Sequence, residues 1–79
     1  MTKFIEAPPL GEQKRTETLV NSWYVQAGQK VNQGDDLVEL VTDKAAFNLP
    51  APEACRIVKI LVKEGVTIKQ GDRLVEIEV

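Results

Sequence analysis

Apolar and polar residues alternate with a period of two in two parts of the chain. Residues 38–40 and 75–79 alternate apolar and acidic side chains, which is typical of a strand with one buried face. Residues 19–25 and 57–62 are rich in β-branched and apolar residues, but their alternation slips once in each segment, which predicts a β-bulge in both. No stretch longer than one turn has helical periodicity, so the pattern predicts an all-β fold.

The two alternating parts belong to an internal repeat. Residues 25–40 align with residues 62–77 at an offset of 37, and eight of the sixteen positions are identical. The copies cover about 4–42 and 46–79, within a single predicted domain of residues 1–79. The four glycines of the repeat are expected in turns with positive φ: Gly28, Gly34, Gly65 and Gly71. No helix follows the two Gln-Gly-Asp corners, so we interpret them as structural turns and not as phosphate-binding loops.

The repeat predicts how the strands pack. A unit of about four short strands has no second layer of its own, so the two units are expected to pack face to face about a pseudo-twofold axis. The product would be a flattened β-barrel or sandwich of two four-stranded sheets. The predicted inner face consists of Val20, Val25, Val31, Val38, Leu40, Ile57, Val62, Ile68, Val75 and Ile77.

The amino-acid composition of the chain argues against several classes of function. The 79 residues carry a net charge of −2 and scattered basic residues, which argues against nucleic acid, and no apolar run is long enough to span a membrane. The chain has no histidine, which excludes most catalytic triads and zinc sites, and its one cysteine, Cys55, cannot form an intrachain disulfide. We expect a protein that is not an enzyme by itself, with Cys55 serving as a small packing residue.

The repeat is interrupted at residues 41–50, where one alternating strand runs into Thr42-Asp43-Lys44-Ala45 and another follows. This order predicts a hairpin with Asp43 and Lys44 at its tip. A shift of 37 residues from Lys44 reaches the beginning or end of the chain, so the lysine is expected at one end of the molecule and both termini at the other. Taken alone, a lysine in a turn is usually a solvated charge.

Over essentially all 79 residues the chain resembles the biotinyl/lipoyl attachment domains, and specifically the lipoyl domains of 2-oxo acid dehydrogenase acyltransferases. The resemblance rests on Leu10-Gly11, the Val-x-x-Gly-x-x-Val-x-x-Gly-Asp pattern from Val25 to Asp35, its second copy, Thr42-Asp43-Lys44-Ala45 and the following proline corner. It implies that Lys44 carries lipoic acid in amide linkage, within a turn that Thr42, Asp43 and Ala45 help to make recognisable.

The resemblance also implies partners. These are a lipoyl-attaching ligase or transferase, a thiamin-dependent 2-oxo acid dehydrogenase, an acyltransferase core and a dihydrolipoamide dehydrogenase. The domain would act as a swinging arm that moves acyl groups and reducing equivalents between their active sites. A loop at residues 11–17 lies beside the lysine turn in such domains and helps partners choose among carriers; a tolerated surface insertion is the equal alternative.

Further observations and expectations depart from or qualify the resemblance. Many lipoyl domains have an acidic residue where Val41 stands, and biotinyl domains have methionine on both sides of the lysine, where this chain has Asp43 and Ala45. An unmodified scaffold like those of efflux-pump adaptors is the rival outside the carrier class. We expect a bacterial-type cytoplasmic location, with the mitochondrial matrix as the second alternative, for an independent carrier or for one part of a longer acyltransferase.

Overall fold

The computed structural model describes residues 1–7, 18–42 and 45–79, and these residues form eight β-strands. The strands are β1 (Thr2–Glu6), β2 (Thr18–Trp23), β3 (Lys30–Val31), β4 (Asp36–Val41), β5 (Ala46–Pro50), β6 (Cys55–Ile60), β7 (Thr67–Ile68) and β8 (Arg73–Glu78). The prediction of an all-β fold is confirmed.

The strands pair in two antiparallel sheets of four. Sheet I has the order β1-β8-β6-β3, and sheet II has the order β5-β4-β2-β7. Because the two sheets remain separate over the described strands, the fold is the predicted sandwich, and the closed barrel is not supported. Corresponding strands have nearly the same burial pattern, including β2 with β6 and β4 with β8, as the predicted pseudo-twofold symmetry requires.

The two copies of the repeat interlock and do not each form one sheet. Sheet I combines β1 and β3 of the first copy with β6 and β8 of the second, and sheet II combines the remaining four strands. The turns make the same exchange: the Gly28 amide donates to the Ile57 carbonyl at 2.6 Å, and the Gly65 amide donates to the Val20 carbonyl at 2.7 Å. Neither copy therefore contains all the hydrogen-bond partners of its own backbone.

The predicted bulges are present at matching places. The β2–β4 register shifts between Val20 and Ser22, and the β6–β8 register shifts between Ile57 and Lys59. All four repeat glycines have a φ near +90°, as predicted. At each Gln-Gly-Asp corner the aspartate carboxylate accepts a backbone N–H, from Asn32 to Asp35 at 2.9 Å and from Lys69 to Asp72 at 2.8 Å, so both corners are structural turns.

The core lies between the sheets and matches the predicted inner face closely. Nine of its ten predicted members are buried, and Val62 is partly buried against them. The core also contains residues that the alternation did not predict: Ala7, Leu37, Ala51, Cys55 and Leu74. The burial of Cys55 agrees with its predicted packing role.

Leu37 and Leu74 enter the core because of a second pair of register shifts. Simple alternation from Val38 would turn Leu37 to the outside, yet both leucines are 0% exposed. The shifts lie between Asp36 and Val38 in the β4–β5 pair, and opposite Ile5 and Glu6 in the β1–β8 pair. A bulge changes which face a residue meets, so two consecutive apolar residues are buried in each copy.

We expect Leu37→Ala and Leu74→Ala each to lower the free energy of unfolding by roughly 2–5 kcal/mol, because each leaves a cavity in a fully packed core. Leu61→Ala is the matched control, since Leu61 is 39% exposed; it should change the stability by about 0.5 kcal/mol or less. Denaturant melts measure all three. Equal costs for Leu61 and the two bulge leucines would contradict the assignment.

Candidate functional site

The predicted lysine hairpin corresponds to the end of the β4–β5 pair. The last register pair of these strands is Val41 with Ala46, and beyond it the Thr42 amide donates to the Ala45 carbonyl at 2.8 Å. The chain has two residues, Asp43 and Lys44, between Thr42 and Ala45. Antiparallel pairing therefore continues up to the two residues that flank the predicted tip.

The Thr42 side chain closes this end of the hairpin. Its Oγ1 donates to the Ala45 carbonyl at 3.1 Å and accepts the Ala45 amide at 3.1 Å. Both backbone groups of Ala45 are thus bound to Thr42, and the small exposed side chains of Ala45 and Ala46 leave the end of the hairpin accessible. Of the four predicted site residues, Thr42 and Ala45 are brought together here. Asp43 and Lys44 lie outside the described residues, as does the predicted recognition loop at 11–17.

The termini occupy the equivalent place in sheet I. The Val79 amide donates to the Met1 carbonyl at 2.9 Å, as the Thr42 amide does to the Ala45 carbonyl. β4 ends at Val41, which faces Leu19 of β2, and Leu19 also faces Thr67 of β7. In the other sheet, β8 ends at Glu78, which faces Arg56 of β6, and Arg56 also faces Lys30 of β3. The turn from β7 leads into the start of β8, so the two ends are separated by the length of that strand, roughly 20 Å for six residues.

The outer face of sheet II beside the hairpin combines apolar and acidic groups. Leu19, Val41 and Ala46 lie side by side in register on three adjacent strands. Further along, the Asn21 amide donates to a Glu39 carboxylate oxygen, and the Asn48 amide donates to Asp36 Oδ2 at 3.0 Å. Two carboxylates are thereby fixed by neutral donors.

Tyr24 extends this polar group, because its hydroxyl donates to Asn48 Oδ1 at 3.2 Å. Desolvation, followed by the negative charges of Glu39 and Asp36, raises the pKa of the Tyr24 hydroxyl. The direction of the shift agrees with a negative potential on this face. Tyr24 and the asparagines were not among the predicted site residues, since isolated polar residues in strands give no motif; only the register brings them together.

A shallow cavity of about 470 Å³ lies at the opposite end of the molecule. It is lined by Lys30, Val31, Asn32, Ala54, Cys55, Arg56, Glu78 and Val79, which include the last residue of the chain. Desolvation, followed by the charge of Glu53, raises the pKa of the Cys55 thiol, which disfavours the reactive thiolate. Because its lining lies beside the chain terminus and includes no described residue of the β4–β5 hairpin, this cavity is separate from the hairpin site.

No group of three or more His, Cys, Asp or Glu side chains is placed to hold a metal ion in residues 1–7, 18–42 and 45–79. The same part of the chain contains no helix with the length and apolarity needed to cross a membrane.

Comparison with known proteins defines the class. Residues 3–77 match the biotin/lipoyl family model, which is described as "Biotin-requiring enzyme", and the chain belongs to this family. It is 38% identical over 78 residues to the dihydrolipoyllysine-residue succinyltransferase component of the 2-oxoglutarate dehydrogenase complex of Bartonella vinsonii subsp. berkhoffii. That alignment covers 99% of this chain and 19% of the relative, so the chain spans about a fifth of the length of that protein.

Solved structures support the same class. The lipoyl domain of the 2-oxoglutarate dehydrogenase complex from Azotobacter vinelandii superposes with a TM-score of 0.77 at 27% identity, over 94% of this chain and 92% of that one. A single-chain, multi-domain long-chain acyl-CoA carboxylase superposes with a TM-score of 0.81 at 26% identity, over 98% of this chain and 7% of that one. The match to an entire lipoyl domain, together with a relative named as a dihydrolipoyllysine-residue succinyltransferase component, confirms the prediction of a lipoyl carrier domain.

We expect Thr42→Val to open the end of the hairpin, because valine keeps the shape of threonine but removes the hydroxyl that binds both backbone groups of Ala45. A hydrogen bond of this kind stabilises by about 1 kcal/mol, so amide exchange at Ala45 should be roughly fivefold faster or more. Thr42→Ser keeps the hydroxyl and should exchange like the native chain. Unchanged protection in Thr42→Val would contradict a role for the hydroxyl.

Proposed function

We propose that this chain carries lipoic acid on Lys44 and presents it to the active sites of a 2-oxo acid dehydrogenase-type complex. The observation that carries the proposal is the β4–β5 hairpin, whose described pairing reaches Thr42 and Ala45 and leaves only Asp43 and Lys44 between them. A β-hairpin end with small, exposed neighbours fits the attachment of a long acyl chain, and the lysine between them supplies the amine that an amide bond needs.

The five lysines in the described part of the chain do not lie at the break in the repeat. Lys3 pairs with Glu53 at 3.1 Å, Lys30 and Lys59 lie within strands, and Lys63 and Lys69 lie in turns that belong to the repeated unit. A modifying enzyme that recognises one lysine needs a feature that occurs once. The break in the repeat provides it, since the matching place in sheet I holds the chain termini.

Each residue of the turn has a proposed role. The Nζ of Lys44 forms the amide bond, which removes one positive charge and takes the net charge of the chain from −2 to −3. Thr42 and Ala45 hold the end of the hairpin through their mutual hydrogen bonds, so that the ligase or transferase meets a fixed frame. Asp43 provides the charge next to the modified lysine. When bound, lipoic acid supplies a dithiolane that takes up an acyl group and two electrons.

The proposed partners are those of the relatives. The curated relatives include components of complexes for 2-oxoglutarate, branched-chain alpha-keto acids and pyruvate. Such a complex contains a thiamin-dependent dehydrogenase, an acyltransferase core and a dihydrolipoamide dehydrogenase, and a tethered arm raises the effective concentration at each of them. The bacterial sources of these relatives support a bacterial-type cytoplasmic location.

Biotin and an unmodified scaffold are the alternatives. The long-chain acyl-CoA carboxylase superposes as well as the lipoyl domain does, so the fold alone does not separate biotin from lipoic acid. The flanking residues do favour lipoic acid, because Asp43 and Ala45 stand where biotinyl domains have methionine. Intact mass of the chain from a host that makes both modifications distinguishes all three states.

We expect Lys44→Arg to abolish modification, because a guanidinium is not an acylatable amine. The native chain should gain the mass of one lipoyl group, and Lys44→Arg should gain none while unfolding at the same denaturant concentration. Lys69→Arg, in a turn of the repeat, is the control and should be modified like the native chain. A lipoyl group that persists in Lys44→Arg would show that another residue carries it.

We also expect the ligase to require the position of the lysine within the hairpin. Exchanging Asp43 and Lys44 keeps the composition, but a one-residue shift turns a side chain to the other side of a hairpin. The swapped chain should show native circular dichroism and little or no lipoyl mass. Modification of the swapped chain at the native rate would mean that the local sequence is enough.

A further inference from the structure

The strands of the two sheets differ strongly in charge, and all eight are described. Sheet I contains five basic and three acidic residues: Lys3, Lys30, Arg56, Lys59, Arg73, Glu6, Glu76 and Glu78. Sheet II contains no lysine or arginine and two acidic residues, Asp36 and Glu39. The formal charge of the strands is thus +2 in sheet I and −2 in sheet II.

Because the pseudo-twofold symmetry relates the two sheets to each other, each position of sheet II has an equivalent position in sheet I. Glu76 faces Lys59 across the β6–β8 pair, whereas its equivalent, Glu39, faces Ser22 and Asn48. The glutamate therefore lies opposite a lysine in sheet I, whereas neither of its register partners in sheet II is charged. The fold does not impose this difference, since the same fold is built with both arrangements.

The row of apolar residues beside the hairpin is a second difference between the two sheets. Glu78 faces Arg56 in sheet I, whereas the equivalent pair in sheet II is Val41 and Leu19. Leu19 is 37% exposed, and Ala46 extends the row on the next strand. Two oppositely charged residues that face each other at one end of the molecule are thus replaced by two apolar residues at the hairpin end.

We propose that the outer face of sheet II is the docking surface for a basic protein surface with an apolar centre, belonging to the thiamin-dependent dehydrogenase that accepts the lipoyl arm. This inference rests on the proposed function. The apolar row of Leu19, Val41 and Ala46 would meet the apolar centre, and Glu39 and Asp36 would meet the basic groups around it. Val41 and Ala46 are the register pair next to Thr42 and Ala45, so a partner bound here lies beside the hairpin.

The carboxylates of Glu39 and Asp36 are already held in position by hydrogen bonds before a partner binds. Asn21 and Asn48 hold Glu39 and Asp36 by neutral amide donors, so their positions are fixed while their charges are not neutralised. Fixing the groups before binding lowers the entropy lost on association. Carboxylates that form no ion pair with the described residues accelerate the approach of a basic surface. A second copy of this chain is a poor occupant, because two sheet II faces would bring like charges together.

The test compares matched variants of the lipoylated chain as substrates for reductive acylation. Purified thiamin-dependent dehydrogenases of the pyruvate, 2-oxoglutarate and branched-chain complexes are the probes, and the one with the highest kcat/KM for the native chain is used. Glu39→Gln and Leu19→Ser alter sheet II. Glu76→Gln and Val58→Ser alter sheet I at the equivalent glutamate and at a residue with the same 37% exposure as Leu19. Intact mass first confirms that each variant carries one lipoyl group.

We expect each sheet II variant to lower kcat/KM about three- to tenfold, chiefly through KM, and each sheet I variant to change it less than about twofold. Added salt should slow the native chain more than Glu39→Gln. Amide signals of β2 and β4 should broaden when the dehydrogenase is added to the labelled native chain, while those of β6 and β8 should not.

Several results would overturn the docking surface. The first three are equal losses of kcat/KM for the variants of both sheets, no loss of kcat/KM for either, and acylation by none of the three dehydrogenases. The fourth is broadening of the β2 and β4 amide signals as the concentration of the chain alone is raised, which would indicate that a second copy binds there. Changes in the amide chemical shifts of this face on lipoylation alone would show that the face contacts the lipoyl arm and not a dehydrogenase. Absence of a lipoyl group from the native chain is a separate result, which refutes the proposed function before docking is measured.

Discussion

The exchange of backbone hydrogen bonds between the two copies of the repeat determines most of this structure. The turn at Gly28 donates to Ile57 in the second copy, and the turn at Gly65 donates to Val20 in the first. Each acceptor is the residue at which a strand bulges, and each donor has a φ near +90°, which glycine adopts without strain. Because each copy completes the other, the two sheets form together, and the burial of either depends on both.

Much of the fold could be predicted from the sequence because its signals are local or repeated. The alternation around Glu39 and Glu76 identifies the central strands, and the glycines identify the turns. The burial of Leu37 and Leu74 could not be predicted, because it depends on a register shift against a neighbouring strand that alternation does not encode. The interlocking of the copies was missed for a similar reason: strand partners are chosen by tertiary contacts, and the two copies have nearly the same pattern.

The residues of the candidate site also divide into those that the sequence could predict and those that it could not. Thr42 and Ala45 were predicted from a four-residue motif at the break in the repeat. Antiparallel pairing accounts for the backbone hydrogen bond between them, and the Thr42 hydroxyl adds two more. The polar group on the outer face was not predicted, since Tyr24, Asn48 and Asp36 are separated in sequence and meet only through the register of three segments. Sequence alone therefore identifies the chemistry of a carrier more easily than the surface beside it.

The contact between the termini has a mechanical consequence. Met1 and Val79 are paired at the end of the β1–β8 ladder, so any chain attached to either one leaves from the same end. Tension applied through both attachments would load the ladder in a peeling geometry, in which its hydrogen bonds break one after another and not all at once. The β4–β5 hairpin lies in the other sheet and outside that line of force. Under such tension the domain would begin to open at the end farthest from the β4–β5 hairpin.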